Sequence, residues 1–149
     1  MNNYPAWWNE TVTIYNRYEN PKTHRITWYR HVVYGCFWKN VGKQLVARDN
    51  VVETDGIICR IRKDSSFLPK YEWTKLAQDD AEAVGGYYTL GNGDIIVLGD
   101  VEDEINEYEQ GSKSTELLAK YKEICLVIEN VTINVDGGRG NEHYHVRGA

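Results

Sequence analysis

The sequence has no apolar run near the ~18 residues that a membrane-spanning helix needs. Its first residues, Met1-Asn2-Asn3-Tyr4-Pro5, lack the charged and apolar regions of a signal peptide. Neither export nor membrane insertion is expected. Cysteine is scarce: Cys36, Cys59 and Cys125 are odd in number and far apart, with no C-x-x-C pair. That spacing gives no disulfide framework and no zinc motif. The three read as reduced cytosolic thiols packed in strands, since a cysteine nucleophile would need a thiolate-stabilising neighbour such as His31 or His143. The motifs G-x-S-x-G, H-E-x-x-H and G-x-G-x-x-G are all missing. The sequence therefore names no catalytic residue, cofactor or metal, and the chain reads as something other than an enzyme.

What is present is β-forming. Methionine (1) and phenylalanine (2) are few, while Tyr (11), Trp (5), Val and Ile abound, a bias toward the aromatic and β-branched residues of strands. A chain that is 42% hydrophobic and 26% charged lies outside the composition of disordered segments. Its 149 residues suit a single domain spanning the whole chain. The net charge of −5 hides an asymmetry. Residues 1–75 hold 12 Lys and Arg against 7 Asp and Glu, whereas residues 76–149 hold 5 against 15. The acidic half concentrates in Asp94, Asp100, Glu102, Asp103, Glu104, Glu107 and Glu109, a stretch without Lys or Arg. It lacks the spaced carboxylates of a calcium loop, and reads either as a solvated loop or as a surface for a basic partner, such as the basic side of a second copy.

Period-two alternation runs through most of the chain. Thr11–Tyr18 places Val12 and Ile14 on one face. Arg25–Trp38 forms a long strand with aromatics on both faces. The turn Glu19–His24 makes the two an antiparallel hairpin, and Gly35 marks a bulge that turns a barrel corner. Further strands are expected over Gln44–Ala47 and Gly56–Lys63. Residues 64–93 read as a long inserted loop, with Phe67, Tyr71 and Trp73 packing on the barrel or on a neighbour. Tyr87–Leu90, the turn Gly91-Asn92-Gly93-Asp94 and Ile95–Leu98 read as a hairpin. One short helix is predicted over 114–122, capped by Ser114, with Leu117, Leu118 and Tyr121 as its apolar stripe. Ile124–Val135 and Glu142–Val146 complete a mainly β fold, a small antiparallel barrel or sandwich.

Two segments invite sharper readings. Gly137-Gly138-Arg139-Gly140 is rich enough in glycine for a phosphate loop, but it links two strands and lacks the Lys-Ser/Thr that such a loop needs. It reads as a hairpin loop, or as one that presents Arg139 to a partner carboxylate. His143-x-His145 puts two imidazoles on one face of a strand, a zinc-compatible spacing without a third ligand in sequence. A nucleic-acid module is disfavoured by the overall charge, although Arg17, Lys22, Arg25 and Arg30 form a locally basic hairpin.

The order Thr11-Val-Thr-Ile-Tyr-Asn-Arg, Ile26-Thr-Trp-Tyr-Arg with Gly35-Cys-Phe-Trp, Ile57-Ile-Cys-Arg-Ile, Gly93-Asp-Ile-Ile-Val-Leu-Gly and Gly138-Arg-Gly-Asn-Glu-His-Tyr-His-Val resembles a family of small proteins encoded in the head-morphogenesis region of tailed phages and prophages. At the level of fold it is similar to head-closure (stopper) and minor capsid proteins of the phage neck. The resemblance implies a β-barrel subunit of a homo-oligomeric ring, twelvefold, between the portal-bound adaptor and the tail. It also implies assembly in the host cytoplasm, residence in the virion neck, and a lumen through which packaged DNA passes without specific binding. The helix at 114–122 and the acidic segment before it depart from the shortest stopper proteins. The residues expected to meet partners are Phe67, Tyr71 and Trp73, Asp100, Glu102, Asp103 and Glu104, and Arg139. A tail-completion (terminator) protein and a small metal-dependent hydrolase built on His143 and His145 are the alternatives.

Overall fold

Strand β1 (Glu10–Glu19) buries Val12 and Ile14 with its even-numbered residues and turns Thr13 and Tyr15 the other way. It pairs antiparallel with β2 (Ile26–Val41), from Val12 opposite Val33 to Glu19 opposite Ile26. In the computed structural model, which describes residues 5–41, 44–47, 50–53, 56–134 and 142–149, β2 is the longest strand at 16 residues. Gly35 lies in the left-handed region at φ 73°, where glycine alone is unstrained. The β1–β2 register shifts there. Beyond it, Phe37–Val41 leaves β1 and pairs with β5 (Gly56–Arg62). The corner expected from Gly35 is the corner the barrel uses.

Between β2 and β5 lies a small antiparallel pair, β3 (Gln44–Ala47) and β4 (Asn50–Glu53). Strands β6 (Ile95–Leu98), β7 (Cys125–Asn134) and β8 (His143–Gly148) close a six-stranded barrel in the order β1-β2-β5-β8-β7-β6. Strand β7 changes partner part-way, as β2 does: its start pairs with β6 and its end with β8. A register shift between Ile128 and Asn130 marks the change, so the strict alternation read over 124–135 breaks at Glu129. Closure is tight at Gly148, where a Cβ would run into the Val127 carbonyl. The interior is filled by Val12, Ile14, Val33, Cys36, Cys59, Ile61, Ile96, Leu126, Ile128 and Val146.

Residues 64–93 differ from the expected loop. They contain helix α1 (Lys70–Asp79) and a 3-10 turn at Ala83–Gly86. Only Trp73, Leu76 and Ala77 repeat at helical spacing, and the polar residues between them hid the period. Trp73 and Ala77 join Tyr18 and Val84 in a cluster that covers one end of the barrel. The hairpin expected from Tyr87 to Leu98 does not form either. The turn itself is present, with Asp94 N–H donating to Gly91 O at 3.0 Å. Thr89, however, exchanges both its backbone hydrogen bonds with the Asn16 side-chain amide (2.7 and 3.0 Å), leaving β6 to pair with β1 and β7.

Helix α2 (Ser114–Lys120) falls where the sequence placed one. Its N-cap residue is Lys113, not Ser114. The backbone N–H and hydroxyl of Ser114 instead donate to Glu107 at 2.8 and 2.6 Å. Leu117 is buried, with Leu118 and Tyr121 packed beside it, over Tyr15, Trp28, Ile95, Val97, Ile105 and Cys125. This second core lies on the outer side of the β1–β2–β6–β7 wall. That wall is thus buried on both faces.

Asp94 is fully buried. Its carboxylate accepts from the Arg17 N–H (2.9 Å), the Asn16 amide (3.0 Å), the Gly91 N–H (3.0 Å) and the Lys70 ammonium (3.2 Å to each oxygen). Burial pushes its pKa up, against the pull of the Lys70 charge and of the Arg17 and Asn16 hydrogen bonds. Removing the acceptor strands several donors, each worth about 1–3 kcal/mol. Asp94→Ala is therefore expected to lower unfolding stability by about 3 kcal/mol or more in urea titrations, with Asp94→Asn falling between it and the wild type.

Candidate interaction surfaces

Beyond the Gly35 corner, the barrel wall made by β2, β5, β8 and the end of β7 turns one row of side chains inward and the other to the exterior. The ladder registers set Phe37, Arg60, His145 and Thr132 side by side, with Lys39, Ile58, Arg147 and Asn130 in the next row and Arg62 beside His143 in another. Among the described residues of these rows there is no carboxylate. Among the described residues no helix covers this face, in contrast to the opposite wall.

The Arg60 guanidinium lies over the Phe37 ring at 5.1 Å, and its Nε–H donates to His145 Nδ1 at 3.4 Å. Trp7, 58% exposed, stands edge-on to Phe37 at 5.3 Å. Trp8 packs edge-on against His143. Arg62 lies across Gly35 and donates to the Trp8 carbonyl at 2.8 Å, which leaves it a structural role at the corner. Lys39 and Arg147 are exposed. Burial lowers the His145 pKa, and the positive charges of Arg60, His143 and Arg147 lower it further. The face is an aromatic and cationic sheet.

The acidic segment lies on the other side of the barrel, since β1 stands across the ring from β8 and β6 across from β5. It is fastened at several points. Thr13 Oγ donates to Gly99 O (2.7 Å) and accepts from Val101 N–H (3.0 Å). Arg30 donates to Val101 O (2.7 Å) and pairs with Asp100 (3.0 Å). The Tyr15 hydroxyl donates to Asp103 O at 2.6 Å. Asp103 receives Lys120 (2.7 Å) and the Tyr121 hydroxyl (2.5 Å), which hold its carboxyl below the usual range. For Glu107, burial opposes ionisation, but hydrogen bonds from Ser114 and the Trp28 indole outweigh it and the pKa is lowered. Ile105 is buried beneath. Glu102, Glu104 and Glu109 are exposed and enter none of the ion pairs among the described residues.

The residues expected to meet partners thus separate. Asp100, Glu102, Asp103 and Glu104 share one rigid cap, while Asp94, counted with them in sequence, is an internal anchor. Tyr71 is 78% exposed on α1, but Trp73 is 0% exposed and belongs to the core. Its expected role at a surface is corrected: the helix turns it inward. Phe67 stacks on Tyr144 at 4.1 Å. Arg139 and the glycine-rich turn lie outside the described residues. The basic hairpin read from Arg17, Lys22, Arg25 and Arg30 is largely absorbed locally, by Glu19, the Tyr108 ring and Asp100.

Sequence reasoning missed the cationic sheet. Its signal is the period-two pair of runs Arg60-x-Arg62 and His143-x-His145-x-Arg147, which become one surface only through the β5–β8 register.

All three thiols are buried. Cys36 and Cys59 are buried together, and the Cys36 hydrogen bond and burial push the Cys59 thiol up. Burial does the same to Cys125. His31 packs on Tyr88 at 5.0 Å, its pKa lowered by burial. An open groove of about 460 Å³ between the β1–β2 turn and α1 is lined by Tyr18, Lys22, Arg25 and Tyr29. Among the described residues, no three of His, Cys, Asp and Glu gather as a metal group, and no helix is long and apolar enough to cross a membrane.

Residues 7–149 match the profile of a family of unknown function, DUF6751. The chain belongs to that family. No curated protein and no solved structure matches it. The DUF6751 match spans both the cationic sheet and the acidic cap, so both surfaces lie within the family's own domain.

Two outcomes are expected. Trp73→Ala lowers stability by about 3–5 kcal/mol, as large-to-small core changes do, while Tyr71→Ala stays within about 0.5 kcal/mol, both read from denaturant midpoints. Arg60→Gln raises the His145 pKa in an NMR titration of the imidazole protons; an unmoved titration would leave burial and the charges of His143 and Arg147 as the causes.

Proposed function

We propose that this chain is a structural virion protein of the tailed-phage neck, a head-closure (stopper) or head-tail connector subunit that assembles as a homo-oligomeric ring between the portal adaptor and the tail. The observation that carries this reading is the placement of opposite charge on opposite sides of one small barrel. Such a molecule associates head to tail, and a head-to-tail contact closes into a ring when its rotation allows. The resemblance read from the sequence motifs points the same way. So does the organisation of the surfaces. Both are broad and fixed by backbone hydrogen bonds or packed rings, as contact faces are, and the three thiols are buried away from them. In this reading packaged DNA passes the ring without being held, because the chain's net negative charge offers duplex phosphates little neutralisation.

Light scattering of the purified protein across concentration, at low and at high salt, tests the proposal. Oligomers larger than a dimer are expected to grow with concentration at low salt. They are expected to weaken as added salt shortens the screening length to a few ångströms. A mass that remains monomeric at every concentration and salt, with and without the neck proteins of the same particle, would overturn it.

A further inference from the structure

We infer that the uncovered β2–β5–β8–β7 sheet face of one copy is the docking site for the acidic cap of the next, so that both sides of the subunit contact are carried by a single chain. This inference rests on the ring-subunit reading and gives that contact its residues. The sheet offers Lys39, Arg60 and Arg147 around Phe37 and Trp7. Arginine and large aromatics concentrate at the buried centres of protein interfaces. The cap offers Glu102, Glu104 and Glu109, the carboxylates left over after Arg30 and Lys120 have taken Asp100 and Asp103.

Three observations favour a second copy as the occupant. First, the chain contains its own complement: a sheet whose cross-strand rows hold cations and, among the described residues, no carboxylate, with Glu129 alone exposed at the β7 bulge beside them, and a cap with surplus carboxylates. Second, the two patches lie on opposite walls of a closed barrel. The contact is then between unlike patches, and it propagates into a ring or filament rather than ending at a two-fold dimer. Third, the cap is already fixed by Thr13, Tyr15, Arg30 and Lys120, so little ordering entropy is lost when it docks. A nucleic acid would also find cations and rings on the sheet. It would have to approach a molecule of net charge −5, with the acidic cap adding to the repulsion.

The test uses two charge-reversed forms of the full chain, Arg60→Glu/Arg147→Glu on the sheet and Glu102→Lys/Glu104→Lys on the cap. Arg147→Glu alone serves as the milder sheet variant because Arg147 is exposed. Circular dichroism melting checks that each is folded. Each form alone is expected to stay monomeric by light scattering at concentrations where the wild type associates, and an equimolar mixture of the two is expected to recover large assemblies.

If the wild type associates and the folded sheet variants associate equally well, the docking assignment falls while the ring reading stands. If the wild type never associates, with or without the neck proteins of the same particle, both fall. If the sheet variants keep wild-type association but lose binding to a fluorescein-labelled oligothymidine that the wild type retains, the face belongs to nucleic acid and the inference is overturned.

Discussion

The Asp94 carboxylate holds together parts of the chain that nothing else in the ladder pattern would join. A buried anion is tolerated only when its lone pairs are filled and a counter-charge stands near. Here the donors come from β1 through Asn16 and the Arg17 N–H, from the Gly91 turn, and from α1 through Lys70. Asn16 in turn ties down Thr89. The segment between β5 and β6 must therefore cross the end of the barrel with α1 facing inward, which buries Trp73 against Tyr18 and Val84. With that end closed, β6 is free to pair on both sides and complete the ring of strands. The arrangement makes the 64–93 segment part of the core rather than a lid.

Gly35 divides the outer surface. Before it, the outward side chains of β2 include Trp28 and Arg30, and both are claimed by the acidic segment, through Glu107 for the indole and Val101 and Asp100 for the guanidinium, while Tyr34 next to the corner stays exposed. After it, the outward residues are Phe37, against which only the Trp7 and Trp8 rings pack among the described residues, and the exposed Lys39. One strand thus contributes to a covered wall and then to an open one. The change of partner at Ile128–Asn130 in β7 does the same on the other side of the barrel. The separation of charge in space is a result of these two breaks in register, which send the acid-rich connection over one wall only.

This explains what the sequence could and could not reveal. The β1–β2 hairpin, the corner at Gly35, the short helix and the mainly β class were legible because each has a local signal: alternation, a glycine within it, or a helical stripe. The helix at Lys70–Asp79 was not, since its buried face is only Trp73, Leu76 and Ala77. The Tyr87–Leu98 hairpin failed for a non-local reason. A turn with the right residues formed, yet the Asn16 side chain, 73 positions away from Thr89, took the backbone groups that would have paired. For the surfaces, the acidic half was visible as a charge run, but which carboxylates remain free depends on Arg30 and Lys120. The cationic sheet needs the β5–β8 register before Arg60 and His145 become neighbours.

The same geometry limits what the acidic stretch can do in an assembly. Sequence alone read it as a solvated loop or as a surface for a basic partner, and lining a lumen would be a third use that excludes the second. A cap on the wall directly across the barrel from the cationic sheet lies along the direction in which unlike faces stack from copy to copy. If that direction runs around a ring and the barrel axis lies along the radius, the ends of the barrel point inward and outward, not the cap. One of those ends carries α1 and the exposed Tyr71, and the groove between α1 and the β1–β2 turn opens there with Lys22, Arg25 and Asp79 on its walls. A mixed-charge end of this kind would neither hold nor strongly repel a passing duplex. In the proposed ring, contacts and channel would then draw on different surfaces of one barrel, and the strength of the first could change without altering the second.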